Sequence, residues 1–126
     1  SVVYTNPEIA CVGLTEKDLN EIKEGDFAPS MSTDEPFVPY EVHKLPMTFS
    51  GRFVAENEGE TGLCKVIVDK RSKTIMGVHM IGNPCSEFVA AASFAVRMGY
   101  TVGEFKQVVF PHPTVGEVLR ETISEL

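Results

Sequence analysis

The sequence predicts an α+β fold, in which helices pack on a small antiparallel sheet. Two β-rich runs, residues 63–69 and 74–81, are joined by the short polar turn 70–73, which is the pattern of an antiparallel hairpin. After residue 83 apolar side chains recur at helical spacing instead. The 126 residues contain no repeat, low-complexity tract or glycine-rich phosphate loop. We therefore expect a single domain over residues 1–126.

The N-terminal half is predicted to supply further strands and one short helix. Strands are expected at residues 2–4, 9–13, 40–45 and 51–56. Thr15 followed by Asp18 has the form of a helix N-cap with an acidic residue three positions later, and Gly25 is expected to end that helix. The proline-rich stretch 26–40 indicates a surface loop. The run 74–81 is apolar on both faces, so its strand should lie centrally in the sheet.

The last third is predicted to be helical. Asn83 is expected to cap the first of these helices, with Pro84 at its first position and Gly99 after its end. Its inward face is predicted to hold Phe88, Ala91, Ala92, Ala95 and Val96. Thr101 and Glu104 repeat the capping pattern at the start of a short helix.

His112 lies between Pro111 and Pro113, which are expected to hold the chain extended before a final helix over residues 115–125. Thr114 and Glu117 have the spacing of a capping box, so a helix-capping role for Glu117 is favoured on spacing alone. A histidine without other evidence is more often structural or exposed than catalytic. His79 lies among apolar neighbours and is predicted to be a hydrogen-bonded core or interface residue.

Charge and cysteine content exclude several classes of function. A net charge of −7 argues against nucleic acid as a partner, because phosphate contacts need a basic patch. No apolar stretch is long enough to span a membrane, so no membrane association is expected. Cys11, Cys64 and Cys85 are widely spaced and indicate reduced thiols in a cytoplasmic compartment. Neither they nor the scattered histidines have the spacing of a metal site.

Four segments, in this order along the chain, resemble the interface domain of the pyridine nucleotide-disulfide oxidoreductases. They are Tyr-Thr-Asn-Pro-Glu-Ile-Ala at 4–10 with Val-Gly-Leu-Thr-Glu at 12–16, Gly-Val-His-Met-Ile-Gly at 77–82 with Ser-Glu at 86–87, Ala-Val-Arg-Met-Gly at 95–99 with Thr-Val at 101–102, and His-Pro-Thr at 112–114 with Glu117. Within this family, the first segment and the Gly-Asn-Pro at 82–84 most resemble the dihydrolipoyl dehydrogenases. The proline-rich loop 26–40 and the Val-Gly at 115–116 depart from the family's pattern.

The resemblance implies a parent enzyme that oxidises dihydrolipoamide, carried on a carrier domain, to lipoamide with reduction of NAD. It places FAD, the nucleotide site and the redox cysteine pair in other domains, so the three cysteines here do not match that pair. Because the chain opens directly in a strand pattern, we expect an excised domain that is inactive and binds no cofactor alone.

The resemblance also implies that the domain forms a homodimer and contributes His112 and Glu117 to the partner subunit's active site. His112 would be the base and Glu117 would orient its ring. No cofactor-binding residue is assigned to this chain beyond an approach of His112 and Pro113 to the partner's flavin.

Three other interpretations remain open from the sequence. The chain could be the interface domain of a glutathione reductase-like or mercuric reductase-like enzyme. It could be a stand-alone dimerisation or binding module that has kept the fold without the chemistry. It could also be a small Cys–His hydrolase, which would need a thiol activated by a neighbouring base.

Overall fold

An antiparallel sheet is the frame of the molecule. The computed structural model describes residues 1–22 and 38–126. In that part of the chain five strands pair in the order β1-β2-β5-β4-β3. Their bounds are β1 Val2–Val3, β2 Ile9–Gly13, β3 Tyr40–Leu45, β4 Leu63–Asp69 and β5 Ile75–Ile81. The predicted α+β class is confirmed. Of the four strands predicted in the N-terminal half, those at 9–13 and 40–45 have the predicted bounds and that at 2–4 is one residue shorter.

The hairpin of β4 and β5 forms the middle of this sheet. Asp69 closes the turn by accepting hydrogen bonds on its side chain from the amides of Arg71 at 2.7 Å and Ser72 at 3.1 Å. Val66 and Val78 are register partners on the two strands and are completely buried. Because β5 pairs with β2 on one side and β4 on the other, its predicted central position is confirmed.

Helices cover the sheet and complete the core. Their bounds are α1 Glu16–Glu21, α2 Gly51–Glu56, α3 Cys85–Arg97, α4 Val102–Phe105 and α5 Glu117–Ser124, with a 3₁₀ turn at Met47–Phe49. Helix α3 packs on β2 and β5, whereas α5 packs on β3 and β4. Apolar side chains of both helices join those of the sheet in one buried cluster, which positions α5 and the loop before it.

Two of the predicted helix starts are confirmed in detail. The Thr15 hydroxyl accepts from the amide of Asp18 at 3.1 Å, and the Asp18 carboxylate accepts from the amide of Thr15 at 2.8 Å. Thr101 and Glu104 make the same reciprocal pair at the start of α4. The predicted end of the first helix at Gly25, and most of the loop 26–40, lie outside the described residues.

The strand predicted at residues 51–56 is wrong, because these residues form α2. The Ser50 hydroxyl accepts a hydrogen bond from the amide of Phe53 at 3.3 Å and caps the helix. Phe53 is completely buried, whereas Val54 is exposed. A run of six residues with so few apolar positions cannot distinguish the two periodicities, and the cap by Ser50 favours the helix.

The predicted cap of α3 is also wrong. The Asn83 side chain accepts from the amide of Glu8 at 2.8 Å and donates to the Asn6 side chain at 2.8 Å, so it ties the helix entrance to the N-terminal segment. Helix α3 has no side-chain cap, and Pro84 precedes the helix instead of occupying its first position. Gly99 follows the end of the helix with φ +65°, as predicted.

The final helix begins later than the sequence predicts. Val115 and Gly116 form a turn in which the amides of Val118 and Leu119 reach back three residues, and the α-helix itself starts at Glu117. No helix in the described part of the chain is long and apolar enough to cross a membrane.

Candidate active site

The loop between α4 and α5 carries the two residues that the sequence singled out. It begins at Phe110, whose ring lies 5.8 Å from that of Phe105 at the end of α4. Where an extended segment is predicted, the His112–Pro113 peptide bond is cis and the chain bends at these two residues. The bend brings His112 back toward the first turn of α5.

His112 and Glu117 are in direct contact. Nδ1 of His112 lies 2.8 Å from Oε1 and 3.0 Å from Oε2 of Glu117. The amide of Thr114 and then the imidazole of His112 hold the pKa of the Glu117 carboxyl below its usual value. An ionised carboxylate can only accept hydrogen bonds, so Nδ1 must donate. In the neutral ring Nε2 is then left as the proton acceptor.

Glu117 also performs the capping role that its spacing predicts. Its Oε2 atom accepts from the amide of Thr114 at 3.0 Å, which is half of a capping box. The other half is missing, because the Thr114 hydroxyl donates to the carbonyl of Pro111 at 2.8 Å. One carboxylate therefore holds the helix entrance and the histidine together.

The two side chains differ sharply in exposure. The His112 side chain is 81% exposed, whereas that of Glu117 is 14% exposed. Nε2 of His112 has no hydrogen-bond partner in the described part of the chain. A mostly buried carboxylate behind an exposed imidazole is an arrangement that can accept a proton from a group on another molecule or subunit.

Ser50, which holds this loop from the start of α2, was not identified from the sequence. The Ser50 hydroxyl, on a residue only 4% exposed, donates to the carbonyl of Thr114 at 2.9 Å. Arg52 Nη1 makes a long contact of 3.4 Å with the carbonyl of Pro113. A serine placed three residues before a buried aromatic residue is a helix-cap signal that could have identified Ser50.

An apolar groove of about 480 Å³ opens beside the loop. Its lining consists of Arg52, Glu56, Pro84, Glu87, Phe88, Ala91, Phe110, Pro111, Thr114, Val115 and Gly116. The ion pair between Arg52 and Glu56, at 2.6 Å, is part of this lining. The same loop that carries His112 thus forms one wall of a cleft large enough for a side chain or ligand fragment.

The other histidine of interest has a structural contact. Nε2 of His79, on β5, donates to the carbonyl of Leu14 at 2.9 Å. The predicted hydrogen-bonded role of this histidine is confirmed. In the part of the chain that the structure describes, no three His, Cys, Asp or Glu side chains are grouped so that they could hold a metal ion.

The three cysteines are free thiols, in agreement with the sequence. Burial raises the pKa of the Cys64 thiol to about 11. Burial, followed by the nearby Glu8 carboxylate, raises the pKa of the Cys85 thiol to about 11 as well. A raised pKa keeps these two thiols protonated, so neither Cys64 nor Cys85 has the environment of an activated nucleophile.

Comparison with known proteins identifies the family. Residues 1–123 match the family described as pyridine nucleotide-disulphide oxidoreductase, dimerisation domain. The chain is 36% identical over 121 residues to a mitochondrial dihydrolipoyl dehydrogenase of Caenorhabditis elegans, covering 96% of the chain and 21% of that protein. It is 35% identical over 126 residues to a dihydrolipoyl dehydrogenase of Thermus scotoductus, covering all of the chain and 24% of that protein.

Solved structures agree on the fold. The structure of LpdA from Mycobacterium tuberculosis superposes with a TM-score of 0.79 at 22% identity, covering 99% of this chain and 24% of that one. The Cu(II) complex of RclA, a flavoprotein disulfide reductase from Escherichia coli, gives a TM-score of 0.80 at 21% identity, covering all of this chain and 25% of the other. At this identity the likeness speaks for the fold alone.

The chain belongs to the pyridine nucleotide-disulfide oxidoreductase family, of which it is the dimerisation domain. It is similar in sequence to part of several dihydrolipoyl dehydrogenases, which are oxidoreductases. The chain spans about a fifth to a quarter of the length of these curated relatives.

Proposed function

We propose that this domain pairs two subunits of a flavin-dependent dihydrolipoyl dehydrogenase and supplies His112 and Glu117 to the active site of the partner subunit. The observation that carries the proposal is the contact of 2.8 Å between Nδ1 of His112 and Oε1 of Glu117, with the imidazole itself exposed. The likeness to dihydrolipoyl dehydrogenases supports dihydrolipoamide as the dithiol.

The described residues do not suit a flavin or nucleotide site of their own. The side-chain caps of α1, α2 and α4 occupy amides that a bound phosphate would need. Helix α3, which has no side-chain cap, begins after Pro84, and a glutamate caps the entrance of α5. FAD and NAD are therefore assigned to the enzyme outside this chain, where FAD would accept two electrons from the dithiol and NAD would take them on.

The part of the reaction that belongs to this chain is a proton transfer. Nε2 of His112 takes the proton of one dihydrolipoamide thiol, and the resulting thiolate attacks the disulfide of the enzyme. A sulfur–sulfur bond forms to the substrate while the bond within the enzyme's disulfide breaks, and the leaving cysteine departs as a thiolate. Glu117 stabilises the imidazolium and holds the ring with Nε2 outward.

The test is His112→Gln in the full-length enzyme. Loss of a positioned general base should lower the rate of dithiol oxidation roughly a hundred- to ten-thousand-fold. The flavin absorbance and the fraction of dimer measured by sedimentation should both be unchanged, because the His112 side chain is exposed and supports no core contact. A normal rate of dithiol oxidation in this variant would exclude the catalytic role, and the family likeness would then concern only the fold and the pairing of subunits.

A further inference from the structure

We infer that Ser50 is a positioning residue for the His112–Glu117 pair, an inference that rests on the function proposed above. Ser50 lies at the start of α2, far from the pair in sequence, and its side chain is buried. Its hydroxyl accepts from the amide of Phe53 at 3.3 Å and donates to the carbonyl of Thr114 at 2.9 Å. One hydroxyl therefore joins the N-terminus of a helix to the loop that carries His112.

Thr114 is the residue through which Ser50 acts. Its carbonyl is held by Ser50, and its amide donates to Glu117 at 3.0 Å. Glu117 in turn accepts from Nδ1 of His112. A continuous chain of hydrogen bonds thus runs from α2 to the imidazole.

The α2 end of this series of hydrogen bonds is anchored in the core, whereas the loop end lies outside any helix or strand. Met47 and Phe53, on either side of Ser50, are both completely buried in the core. The residues 110–116 belong to no helix or strand. A buried donor aimed at the loop backbone fixes where Thr114 lies, and through Glu117 it fixes the tautomer and orientation of the imidazole.

Arg52 provides a comparison within the same region. Its contact with the carbonyl of Pro113 is longer, at 3.4 Å, and its side chain is half exposed and paired with Glu56. Such a contact gives little directional restraint. Arg52→Ala should therefore leave the geometry of the pair almost unchanged.

Three substitutions at Ser50 separate the contact with Thr114 from the cap of α2. Ser50→Gly removes the donor for Thr114, while glycine remains an acceptable N-cap residue. Ser50→Thr and Ser50→Asn keep both an acceptor for Phe53 and a donor for Thr114.

In the full-length enzyme we expect Ser50→Gly to lower kcat for dithiol oxidation roughly ten- to a hundred-fold with little change in KM, because the base is misplaced while substrate binding is kept. In the 126-residue chain, nitrogen NMR of the neutral His112 ring should show the proton leaving Nδ1 for Nε2. Ser50→Thr or Ser50→Asn should restore both readouts, and Arg52→Ala should move neither.

An unchanged tautomer and kcat in Ser50→Gly would overturn the inference. It would also be overturned if neither rescue variant restored the readouts, since Ser50 would then act only through the stability of the fold. Both results are distinct from a failure of the proposed function, which would appear as a normal rate in His112→Gln.

Discussion

Glu117 holds the imidazole of His112 and the amide of Thr114 with a single carboxylate. The Glu117 side chain is mostly buried whereas the imidazole is exposed, so only the carboxylate end of the contact with His112 is shielded from bulk water. The consequence is that the start of α5 and the orientation of the histidine are coupled. A change at this residue affects the helix and the chemistry to different extents, and the two effects can be measured separately.

Glu117→Gln and Glu117→Ala distinguish the two roles. Glutamine fits a capping box, so the melting temperature of Glu117→Gln should stay close to that of the parent, while the loss of the negative charge lowers the rate of dithiol oxidation. The loss of rate should be smaller than in His112→Gln, because the base itself remains. Glu117→Ala should lower the rate as well and also cost about 1 kcal/mol of stability, as loss of a cap does.

The measurements are the steady-state rate of the full-length enzyme and the thermal unfolding of each variant. A normal rate in Glu117→Gln together with normal stability would show that capping is the only role of this carboxylate.

The effect of a glycine-to-alanine substitution on stability depends on the backbone conformation at the position, and Gly116 and Gly99 are opposite cases. Gly116 has φ −58° and ψ −21°, which any residue adopts, and a Cβ there would lie 3.4 Å from Cβ of Phe88. Gly116→Ala should therefore stabilise the domain by about 0.4–1 kcal/mol through the unfolded state, provided that Phe88 accepts the contact. Denaturant unfolding of the 126-residue chain measures this change.

Gly99→Ala is the matched control. No atom lies within 4 Å of a Cβ at this position, but its φ of +65° is strained for alanine. The substitution should destabilise the domain by about 1–2 kcal/mol. If both variants changed stability in the same direction, backbone conformation would not be the deciding factor.

The helix caps make the stability of the domain sensitive to acid. Hydrogen bonds from Thr15 hold the pKa of Asp18 below its usual value, and those from Thr101 do the same for Glu104. A carboxyl whose pKa is lower in the folded state stabilises the fold above its unfolded pKa, and that contribution is lost as the pH falls through the folded pKa. Stability should therefore decrease below about pH 4.5, the ordinary pKa of a glutamate.

The double variant Asp18→Asn, Glu104→Gln should show a shallower decrease in melting temperature between neutral and acidic pH than the parent chain. The same slope in both proteins would mean that the capping carboxylates do not contribute to the acid sensitivity.

The domain exposes several large apolar side chains to solvent. Phe94, in the last turn of α3, is 69% exposed, Met98 just after the helix is 63% exposed, and Val109 is 89% exposed. In a family defined by a dimerisation domain, a second copy of the chain is the occupant that fits this surface.

We therefore predict that the 126-residue chain self-associates as a symmetric dimer. Phe94→Asp should weaken the association, because it places a charge in an apolar contact, whereas Lys17→Gln makes the same change in net charge on the exposed α1 and should have little effect. Sedimentation over a wide concentration range measures both. A strictly monomeric parent chain at high concentration would contradict a self-sufficient interface.

The α+β class, the central hairpin and the capping boxes of α1 and α4 could be predicted from the sequence alone, because they depend on local periodicity and on turn and cap residues close to one another in sequence. Such signals can be read without knowledge of the tertiary structure. The pairing of His112 with Glu117 was implied only by the family resemblance, since spacing alone favoured a cap.

Features that depend on contacts between distant parts of the chain could not be predicted from such local signals. Whether residues 51–56 form a strand or a helix depends on how Phe53 packs in the core. Asn83 does not cap α3 as predicted, because its side chain forms hydrogen bonds with Asn6 and Glu8, which are more than 70 residues away in sequence. Ser50 meets Thr114 across 64 residues of chain. A hydrogen bond between residues so far apart forms only after the sheet and helices have packed, and it leaves no periodic trace in the sequence.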